Sequence, residues 1–379
     1  MQHAYGIMWK TVSEDCNLAC DYCYYSRVLG KPEQVRTPVP EVLEKVLRDY
    51  LSTCGSTASI AWQGGEPLLA GLPFFRRVVA LEAEYAKPPM VLSNAIQTNG
   101  ILINQAWAEF FRDYRFLVGV SLDGPEALHD SHRVDAHGRG SYARVMRGIS
   151  VLQQHAVEFN ILTVVGPHNV GHGAELLNFY RDQGFQWVQF IPQMAFQSQH
   201  PDRPGQFAIT AEEYGQFLCD TFDVWYRDGH PDMSIRYFDN VLQTYVGVSP
   251  DLCTMKAKCP PHLVVESSGD LYPCDFFLDG EWKLGNIREM TLSDAFGTDT
   301  YARFASIKPD LPEKCRACPW LKHCRGGCPR NRVDEQGQMS APDYFCTAFE
   351  RFFAYADERL QTLAKPMRQQ RSKRALQRL

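Results

Sequence analysis

Three cysteines with side chains able to bind metal, Cys16, Cys20 and Cys23, lie within the segment CNLACDYC near the N-terminus. Thiolates are ligands of both iron–sulfur clusters and zinc, and each of these groups normally takes four ligands from the protein. Three thiolates would leave one iron of a [4Fe–4S] cluster without a protein ligand and therefore open to another molecule. A zinc site completed by a distant histidine or cysteine is the alternative.

Eight further cysteines crowd the last third of the chain. No early stretch has the apolar run of a signal peptide, so we expect a cytoplasmic protein, whose reducing surroundings keep thiols free. Grouped thiols in such a protein indicate metal binding rather than disulfides. Cys54 and Cys219 stand apart from both groups, and Cys219 lies among apolar helix positions typical of a core thiol.

The bulk composition excludes several kinds of partner. The 379 residues are 45% hydrophobic, which suffices for a large core and predicts more than one domain. A net charge of −5 gives no case for nucleic acid or a membrane surface as the main partner. No run approaches the roughly 20 apolar residues of a membrane-spanning helix.

Short β-rich runs alternate six times with helical patterns up to about residue 195. The candidate strands are 5–12, 59–63, 91–98, 116–122, 157–165 and 187–192. The candidate helices include 40–52, 104–114, 142–155 and 211–229. This alternation predicts an α/β fold with a parallel sheet, closed or partly closed as a barrel. Sites in such barrels lie in the loops after the strands, where the cysteine loop, GGEP, TNG and SLDGP all fall.

Beyond about residue 235, turn residues and cysteines predominate. The segment 262–274 predicts a hairpin that turns at Ser268-Gly269-Asp270. We expect a smaller domain here, held together more by metal than by a large core. A last helix over 346–364 precedes a basic tail, predicted to be a frayed and solvated end. The predicted boundaries are 1–232, 233–365 and, for the tail, 366–379.

The cysteine loop resembles that of the radical S-adenosylmethionine (SAM) enzymes, whose hallmark is C-x3-C-x-Φ-C with an aromatic residue at Φ, here Tyr22. The resemblance implies a partial (β/α)6 TIM-like barrel as the radical SAM core. It also implies that the open iron chelates the amino and carboxylate groups of SAM. An electron from the cluster would then split SAM to a 5′-deoxyadenosyl radical.

Other loops match SAM-binding positions of the same family. GGEP resembles the motif that meets the SAM amino group, here with Gly65 and Glu66. Ser121 in VSLDGP and Arg133 in DSHRVD match positions that bind the ribose and the carboxylate. Met194, after the sixth strand, would contact adenine through its backbone. The alternatives are an ordinary turn, a strand-end hydroxyl and a surface guanidinium.

The late cysteines resemble the SPASM domain, a small cysteine-rich iron–sulfur domain with two auxiliary [4Fe–4S] clusters. The resemblance implies one ligand set of Cys253, Cys259, Cys274 and Cys328, and another of Cys315, Cys318, Cys324 and Cys346. The chain would then hold three [4Fe–4S] clusters. Two zinc knuckles are the alternative. Because four protein ligands leave no open iron, the auxiliary clusters would carry electrons.

Apart from its tail, the chain resembles the anaerobic sulfatase-maturating enzymes, through stretches such as QTNG, SIRYFDN and VVESSGDLYPCDF. Those enzymes convert a Cys or Ser of a sulfatase to Cα-formylglycine. The resemblance implies hydrogen abstraction from Cβ, proton loss to Asp275 and electron transfer to the auxiliary clusters. It also implies a sulfatase polypeptide as substrate and a reducing electron donor such as flavodoxin or ferredoxin.

Two other functions fit parts of this pattern. SPASM enzymes that modify ribosomal peptides, for example by thioether cross-links, share the architecture. Many of them carry an N-terminal leader-binding domain, for which we expect no room ahead of Cys16, and a thioether-forming enzyme does not need Asp275 as a base. A non-enzymatic iron–sulfur or zinc scaffold would not cleave SAM.

By composition alone, Asp275 would be an exposed loop carboxylate. Tyr24 and Tyr25 are candidates only for lining a peptide channel.

Overall fold

The computed structural model describes residues 5–23, 35–194, 208–334 and 336–376, the last four of these by their backbone alone. Packing divides the chain into two compact units. The first comprises Met1–Leu162, Ala195–Gln206 and Pro261–Phe304, and the second comprises Thr163–Met194, Phe207–Pro260 and Ala305–Leu379. Packing thus groups residues 261–304 with the N-terminal part, while the boundary at residues 232 and 233 stays a prediction. Tyr24 and Tyr25 lie outside the described residues.

Strands and helices alternate through the first two thirds of the chain. The strands are β1 (Gly6–Lys10), β2 (Thr57–Gln63), β3 (Val91–Thr98), β4 (Leu117–Ser121), β5 (Phe159–Val165), β6 (Trp187–Pro192), β7 (Ser234–Ile235), β8 (His262–Glu266), β9 (Asp270–Tyr272) and β10 (Gly285–Asn286). The helices of this part are α1 (Pro40–Thr53), α2 (Gly71–Tyr85), α3 (Gln105–Asp113), α4 (Glu126–Asp130), α5 (Tyr142–Gln154), α6 (Gly173–Asp182), α7 (Ala211–Tyr226) and α8 (Arg236–Val246). The later ones are α9 (Leu292–Ala295), α10 (Asp299–Ile307), α11 (Glu313–Arg316), α12 (Leu321–Cys324) and α13 (Cys346–Leu376).

The first unit is a sheet in the order β10-β9-β8-β1-β2-β3-β4-β5, with parallel pairing from β8 through β5. The predicted hairpin is β8 and β9, which pair in the antiparallel direction around Gly269 at φ +89°. Such a positive φ suits glycine, which has no Cβ to clash. Because β8 also pairs with β1, the hairpin extends the same sheet as the cysteine loop's own strand.

Aromatic rings fill the core between this sheet and its helices. Trp9 on β1 stacks on Trp62 on β2, with ring centroids 5.4 Å apart, and Trp62 meets Phe75 of α2 at 5.5 Å. Phe75 in turn contacts Trp107 of α3 at 5.6 Å. Since side chains alternate along a strand, Trp9 on the helix side directs its neighbour Lys10 to the opposite face of the sheet.

The second unit combines the end of β5 with β6 and β7, in the order β5-β6-β7, and three packed helices. The capping box of Thr210 and Glu213 begins α7. Phe222 on α7 contacts Phe238 of α8 at 5.3 Å and Phe352 of α13 at 5.6 Å. These aromatic contacts between α7, α8 and α13 form the unit's main core.

The predicted fold class is confirmed: six strand–helix repeats form an open, partial barrel, and a cysteine-rich region follows along the chain. Two helix ends differ from prediction. The residues Arg227 and Asp228 adopt positive φ, so α7 ends at Tyr226 instead of residue 229. Helix α13 continues to Leu376 through the predicted frayed tail, although the side chains of 365–372 are solvated as expected. Among the described residues, no helix is long and apolar enough to cross a membrane.

Candidate active site

The cysteine loop follows β1 in the first unit, with Cys16 and Cys20 buried and Cys23 half-buried. Burial raises the pKa of Cys16, and the charges of Cys20 and Cys23 raise it further. Burial also raises the pKa of Cys20 to about 12, although Arg133 opposes this. The three thiols therefore lie close enough to interact. Iron would bind them as thiolates, and its positive charge would offset the repulsion between the three negative sulfurs, so the donor set suits a metal cluster.

Hydrogen-bond donors already point at one of these sulfurs. The backbone N–H of Leu18 donates to Cys16 Sγ at 3.4 Å, and Asn99 Nδ2 lies 3.9 Å from the same sulfur. Asn99 also donates to Asn17 Oδ1 at 2.8 Å. Hydrogen bonds to the sulfurs are among the factors that set the potential of an iron–sulfur cluster. Asn99 was not identified as a site residue from the sequence, although its TNG motif was noted.

The GGEP loop packs directly on the cysteine loop. The backbone N–H of Gly65 donates to Ser13 O at 2.7 Å, and that of Glu66 donates to Asp15 O at 2.8 Å. A Cβ on Gly65 would lie only 2.0 Å from Asp15 O. The sequence predicted Gly65 as a site residue because a ligand would approach its backbone. The structure adds a second reason, which is the close approach of the cysteine loop to the same backbone. The two loops can meet only without a side chain at this position.

Glu66 is fully buried and holds the ends of β2 and β3 together. Its Oε1 accepts from Thr98 Oγ1 at 2.8 Å and from Leu68 N at 3.0 Å, and its Oε2 accepts from Asn99 N at 2.7 Å. Burial raises the pKa of Glu66 to about 7, while these hydrogen bonds oppose the rise. A carboxylate offers about four acceptor positions, so Oε2 retains capacity for an ammonium group.

A buried carboxylate, Asp123, joins two of the predicted SAM residues. The hydroxyl of Tyr22 donates to Asp123 Oδ2, and Arg133 Nε donates to the same oxygen at 2.8 Å. The Arg133 guanidinium carbon also lies 5.4 Å from the centre of the Tyr22 ring. Sequence reasoning missed Asp123, although it belongs to the SLDGP motif at the end of β4. The bond through Nε fixes the guanidinium and leaves its two terminal nitrogens available as donors.

A neutral histidine supports this network. His129 Nδ1 accepts from the backbone N–H of Asp123 at 3.2 Å. Ser141 Oγ donates to Arg133 O at 2.8 Å, so it accepts a hydrogen bond from His129 Nε2 at 2.9 Å. Both ring nitrogens are thereby assigned from the hydrogen-bond network. The backbone around Arg133 is held in place before any ligand binds.

The remaining predicted SAM residues lie in different units. Ser121 ends β4 in the first unit and accepts from Gln97 Nε2 at 3.1 Å. Met194 lies in the second unit, where its side chain is buried and its carbonyl accepts from Gln193 Nε2 at 3.4 Å. Five of the six predicted residues thus share one unit, and the role of Met194 stays a prediction.

Asp275 is buried beside a lysine that the sequence did not single out. It follows β9 in the first unit, is 9% exposed, and forms an ion pair with Lys10 Nζ at the end of β1. Lys10 itself is 1% exposed. The alternative of an exposed loop carboxylate at Asp275 is wrong. The sequence signal for Lys10 was its place as the last residue of an otherwise apolar strand. A lysine buried at such a position indicates a charged partner, since lysines are fully buried almost only when they are paired.

The second auxiliary set is brought together within the second unit. Cys315, Cys318, Cys324 and Cys346 line one pocket of about 330 Å³, counting its space open to solvent. Aromatic rings of Trp320, Phe349 and Phe353 close its sides. A pocket lined by four thiols and otherwise largely by apolar side chains suits a fully ligated cluster.

The other auxiliary set is divided between the units. Cys253, Cys259 and Cys328 lie in the second unit, where burial and the charges of Cys328 and Cys253 raise the pKa of Cys259 to about 11. Cys274 lies in the first unit beside Asp275. Within the described ranges, no three His, Cys, Asp or Glu side chains are placed to share a single metal ion. This finding applies equally to the loop cysteines and to both auxiliary sets, so all three ligand sets stay predictions.

Comparison with known families agrees with this arrangement. The radical SAM superfamily matches residues 11–180, and the SPASM iron–sulfur cluster-binding domain matches residues 259–319. The fold and site define a radical SAM protein with an iron–sulfur-binding SPASM region. Such a protein uses a [4Fe–4S] cluster with SAM, and its SPASM region binds further iron–sulfur clusters.

More specific relatives cover nearly the whole chain. A cysteine-type anaerobic sulfatase-maturating enzyme of Clostridium perfringens is 34% identical over 95% of this chain and 98% of its own length. A serine-type enzyme of Bacteroides thetaiotaomicron is 33% identical over 97% and 92%. The solved structure of native anSMEcpe with bound AdoMet and Cp18Cys peptide shares 34% identity, covers 96% and 99%, and superposes with a TM-score of 0.88. The chain belongs to the family of anaerobic sulfatase-maturating enzymes.

Proposed function

We propose that this protein oxidises a specific cysteine or serine of a sulfatase polypeptide to Cα-formylglycine. The observation that carries the proposal is the 34% identity to a sulfatase-maturating enzyme over 98% of that enzyme's length. The chain is nearly equally identical to cysteine-type and serine-type relatives, so we assign both cysteine and serine as candidate target residues. The reaction removes two electrons and two protons from the target side chain, and a thiol target must also exchange sulfur for oxygen.

The loop cysteines Cys16, Cys20 and Cys23 would hold the first cluster. Together with SAM, that cluster supplies the radical that removes a hydrogen atom from the target Cβ. Around it, Glu66 would accept from the SAM ammonium, and Arg133, anchored on Asp123, would offer its terminal nitrogens to the SAM carboxylate. Tyr22, Gly65, Ser121 and Met194 complete the proposed SAM site.

Asp275 would accept the proton from the target thiol or hydroxyl. Its buried ion pair with Lys10 favours the ionised carboxylate, which is the form that takes up a proton. Lys10 also limits where that carboxylate can sit, because a buried ammonium needs its partner close by. Lys10 is therefore a positioning residue in this scheme, and Asp275 is the base.

The eight late cysteines would hold two auxiliary clusters, which brings the proposed total to three [4Fe–4S] clusters. These clusters would supply an acceptor for the electron that the target residue loses. A reducing protein such as flavodoxin or ferredoxin would deliver the electron that SAM cleavage requires. We place the reaction in the cytoplasm, where the thiols remain reduced before cluster assembly.

The proposal is tested with anaerobically reconstituted protein, reductant, SAM and two short sulfatase peptides that differ only in Cys or Ser at the target position. The serine product is expected to be lighter by about the mass of two hydrogen atoms. The cysteine product additionally exchanges sulfur for oxygen, and an aldehyde-specific hydrazide reagent should label both. A peptide in which Ala replaces the target residue is the matched control.

Three results would contradict the proposal. Active SAM cleavage that leaves both peptides unchanged in mass would indicate another peptide substrate. Loss of two hydrogens from the cysteine peptide with sulfur retained and no aldehyde would indicate thioether cross-linking instead. Absence of SAM cleavage in protein that holds its iron would exclude the whole enzyme class.

A further inference from the structure

Two cations in the second unit are buried among the auxiliary cysteines. Lys308 is 1% exposed and Arg332 is 0% exposed. A fully buried lysine or arginine is rare unless a negative group compensates its charge. The surroundings of these two side chains therefore indicate what that negative group is.

Protein carboxylates do not fill that role. Lys308 Nζ donates to Thr254 O at 3.0 Å and to Gly327 O. The Arg332 guanidinium donates to backbone carbonyls only, those of Gly326, Lys308, Asp310 and Arg325, at 2.8 to 3.4 Å. In the part of the chain that the structure describes, neither side chain forms an ion pair with an aspartate or glutamate.

Predicted cluster ligands adjoin the groups that these two cations contact. Thr254 O and Gly327 O, which accept from Lys308, belong to chain neighbours of Cys253 and Cys328. Gly326 O, which accepts from Arg332, lies two residues before Cys328. Burial lowers the pKa of Lys308, and the thiolates of Cys259, Cys328 and Cys253 oppose that change. Burial raises the pKa of Cys259 and that of Cys315, a member of the other ligand set. The positive charge of Arg332 opposes the rise at both thiols. The two cations thus face thiols from both predicted auxiliary sets.

One acidic side chain, Asp343, is also buried in this region. Burial raises its pKa, and Arg332 is a minor opposing influence. Its carboxylate accepts from the backbone N–H groups of Cys328 at 2.8 Å and Phe345 at 2.9 Å. A single carboxylate cannot balance two cations, so the chain alone leaves net positive charge here.

We propose that Lys308 and Arg332 are the countercharges of the auxiliary clusters and raise the reduction potentials of those clusters. A [4Fe–4S] cube with four thiolates is anionic, and reduction makes it more so. A cation held nearby in a poorly solvated interior stabilises the reduced form more than the oxidised form. The consequence, that these clusters readily accept the electron lost by the target residue, rests on the proposed function.

The test uses the full chain with Cys16, Cys20 and Cys23 all changed to Ala, so that only the auxiliary clusters report. Midpoint potentials are measured by anaerobic redox titration followed by EPR, alongside iron and sulfide content. Lys308→Met should shift the potential of at least one auxiliary cluster to a more negative value. Lys308→Arg, which keeps the charge, should leave it near that of the unaltered background.

A matched control is Lys322→Met, which removes an exposed lysine near Cys324 in the same unit. Solvent and salt screen an exposed charge, so this change should shift the potentials less than Lys308→Met. An equal shift in the two variants would mean that net charge, and not the buried cation, is responsible, and would overturn the proposal.

The variants also separate charge from folding. Lys308→Gln keeps an N–H donor for the carbonyls of Thr254 and Gly327 on a side chain one bond shorter, and it removes the charge. If Lys308→Gln holds a full complement of iron at an unaltered potential, the proposal is wrong. It is equally wrong if Lys308→Arg loses its clusters as completely as Lys308→Met, because then geometry and not charge is needed.

These potentials are measured without SAM or peptide, so the outcome is independent of the proposed reaction. Peptide oxidation is assayed separately, in the chain that keeps Cys16, Cys20 and Cys23. Shifted potentials in the triple-alanine background, together with no oxidation of sulfatase peptides by the chain that keeps these cysteines, would retain the countercharge role and refute the proposed function. Normal peptide oxidation with unshifted potentials would support the proposed function and refute the countercharge role.

Discussion

The two cysteine regions treat their buried cations differently. Beside the loop cysteines, Arg133 donates to the carboxylate of Asp123, so the chain itself compensates the positive charge. Among the late cysteines, Lys308 and Arg332 donate to backbone carbonyls, and in the described part of the chain neither forms an ion pair with a carboxylate. A cation that the chain leaves uncompensated can stabilise a bound anionic group. A cation that is already paired with a carboxylate mainly positions a ligand and donates hydrogen bonds to it.

This difference matches the tasks proposed for the two regions. A cluster that must donate an electron to split SAM benefits from a low potential, and an uncompensated cation beside it would work against that. Clusters that accept an electron benefit from the opposite surroundings. The presence or absence of charge compensation would therefore distinguish the cluster that donates an electron from the clusters that accept one. The following predictions test that separation.

The largest effect is expected from exchanging one cysteine in each region. Cys16→Ala should lower SAM cleavage to background and remove about four irons per chain, since one cluster is lost. Cys324→Ala should lose a similar amount of iron and abolish peptide oxidation, yet keep SAM cleavage. Iron analysis and chromatography of the cleaved SAM measure both, with Cys219→Ala as a control at a buried thiol of α7. Loss of SAM cleavage in Cys324→Ala with an intact loop cluster would argue against separate tasks.

Of the two reactions, removing the proposed base should affect only peptide oxidation and not SAM cleavage. Asp275→Asn is expected to slow peptide oxidation about 10²–10⁴-fold, because general-base catalysis is typically worth that much. SAM cleavage without peptide should persist. Asp279→Asn, at an exposed carboxylate shortly after it, is the control and should oxidise peptide normally. Equal rates for the two variants in a single-turnover mass assay would exclude Asp275 as the base.

The buried ion pair should couple Lys10 to Asp275 energetically. Lys10→Met removes the ammonium group that is paired with a buried carboxylate, and it is expected to lower the free energy of unfolding by about 3–5 kcal/mol. The double variant Lys10→Met/Asp275→Asn should recover most of this loss. Anaerobic denaturant unfolding of the four proteins in a double-mutant cycle gives the coupling. Additive losses would show that the two side chains do not depend on each other.

The smallest effect concerns the contact between the GGEP and cysteine loops. Gly65→Ala places a methyl group against Asp15 O and is expected to destabilise the protein by about 1–3 kcal/mol, with less iron bound by the loop. Gly280→Ala, where a Cβ meets nothing within 4 Å, is the control and should change stability by less than about 0.5 kcal/mol. Denaturant unfolding and iron content measure the effect. Matching values for both alanines would remove the steric argument.

Local patterns predicted much of the architecture. The strands 91–98 and 187–192 match β3 and β6, and the hairpin turns where Gly269 permits a positive φ. These features depend on neighbouring residues, so a single sequence reveals them. The end of α13 was missed because its last turns are solvated and basic, without the apolar spacing that marks a packed helix.

Buried charge was the least predictable part of the candidate site. Lys10, Asp123, Lys308 and Arg332 are charged residues that composition places at the surface. Asp123 was close to a quoted motif, yet nothing local shows that Tyr22 and Arg133 converge on it. Such groups are buried only because distant segments supply their partners.

What the sequence by itself determined is the grouping of the loop thiols, since three cysteines within eight residues stay close in any fold that the chain can adopt. It also determined the strand–helix order that places this loop at a strand end. Only the tertiary structure decided which charges are compensated. Lys10 meets Asp275 across a large sequence separation, while the hydrogen bonds that Lys308 and Arg332 donate within the described residues go to carbonyls. The physical reason is that burial and pairing depend on which segments pack together, and this is a property of the whole fold.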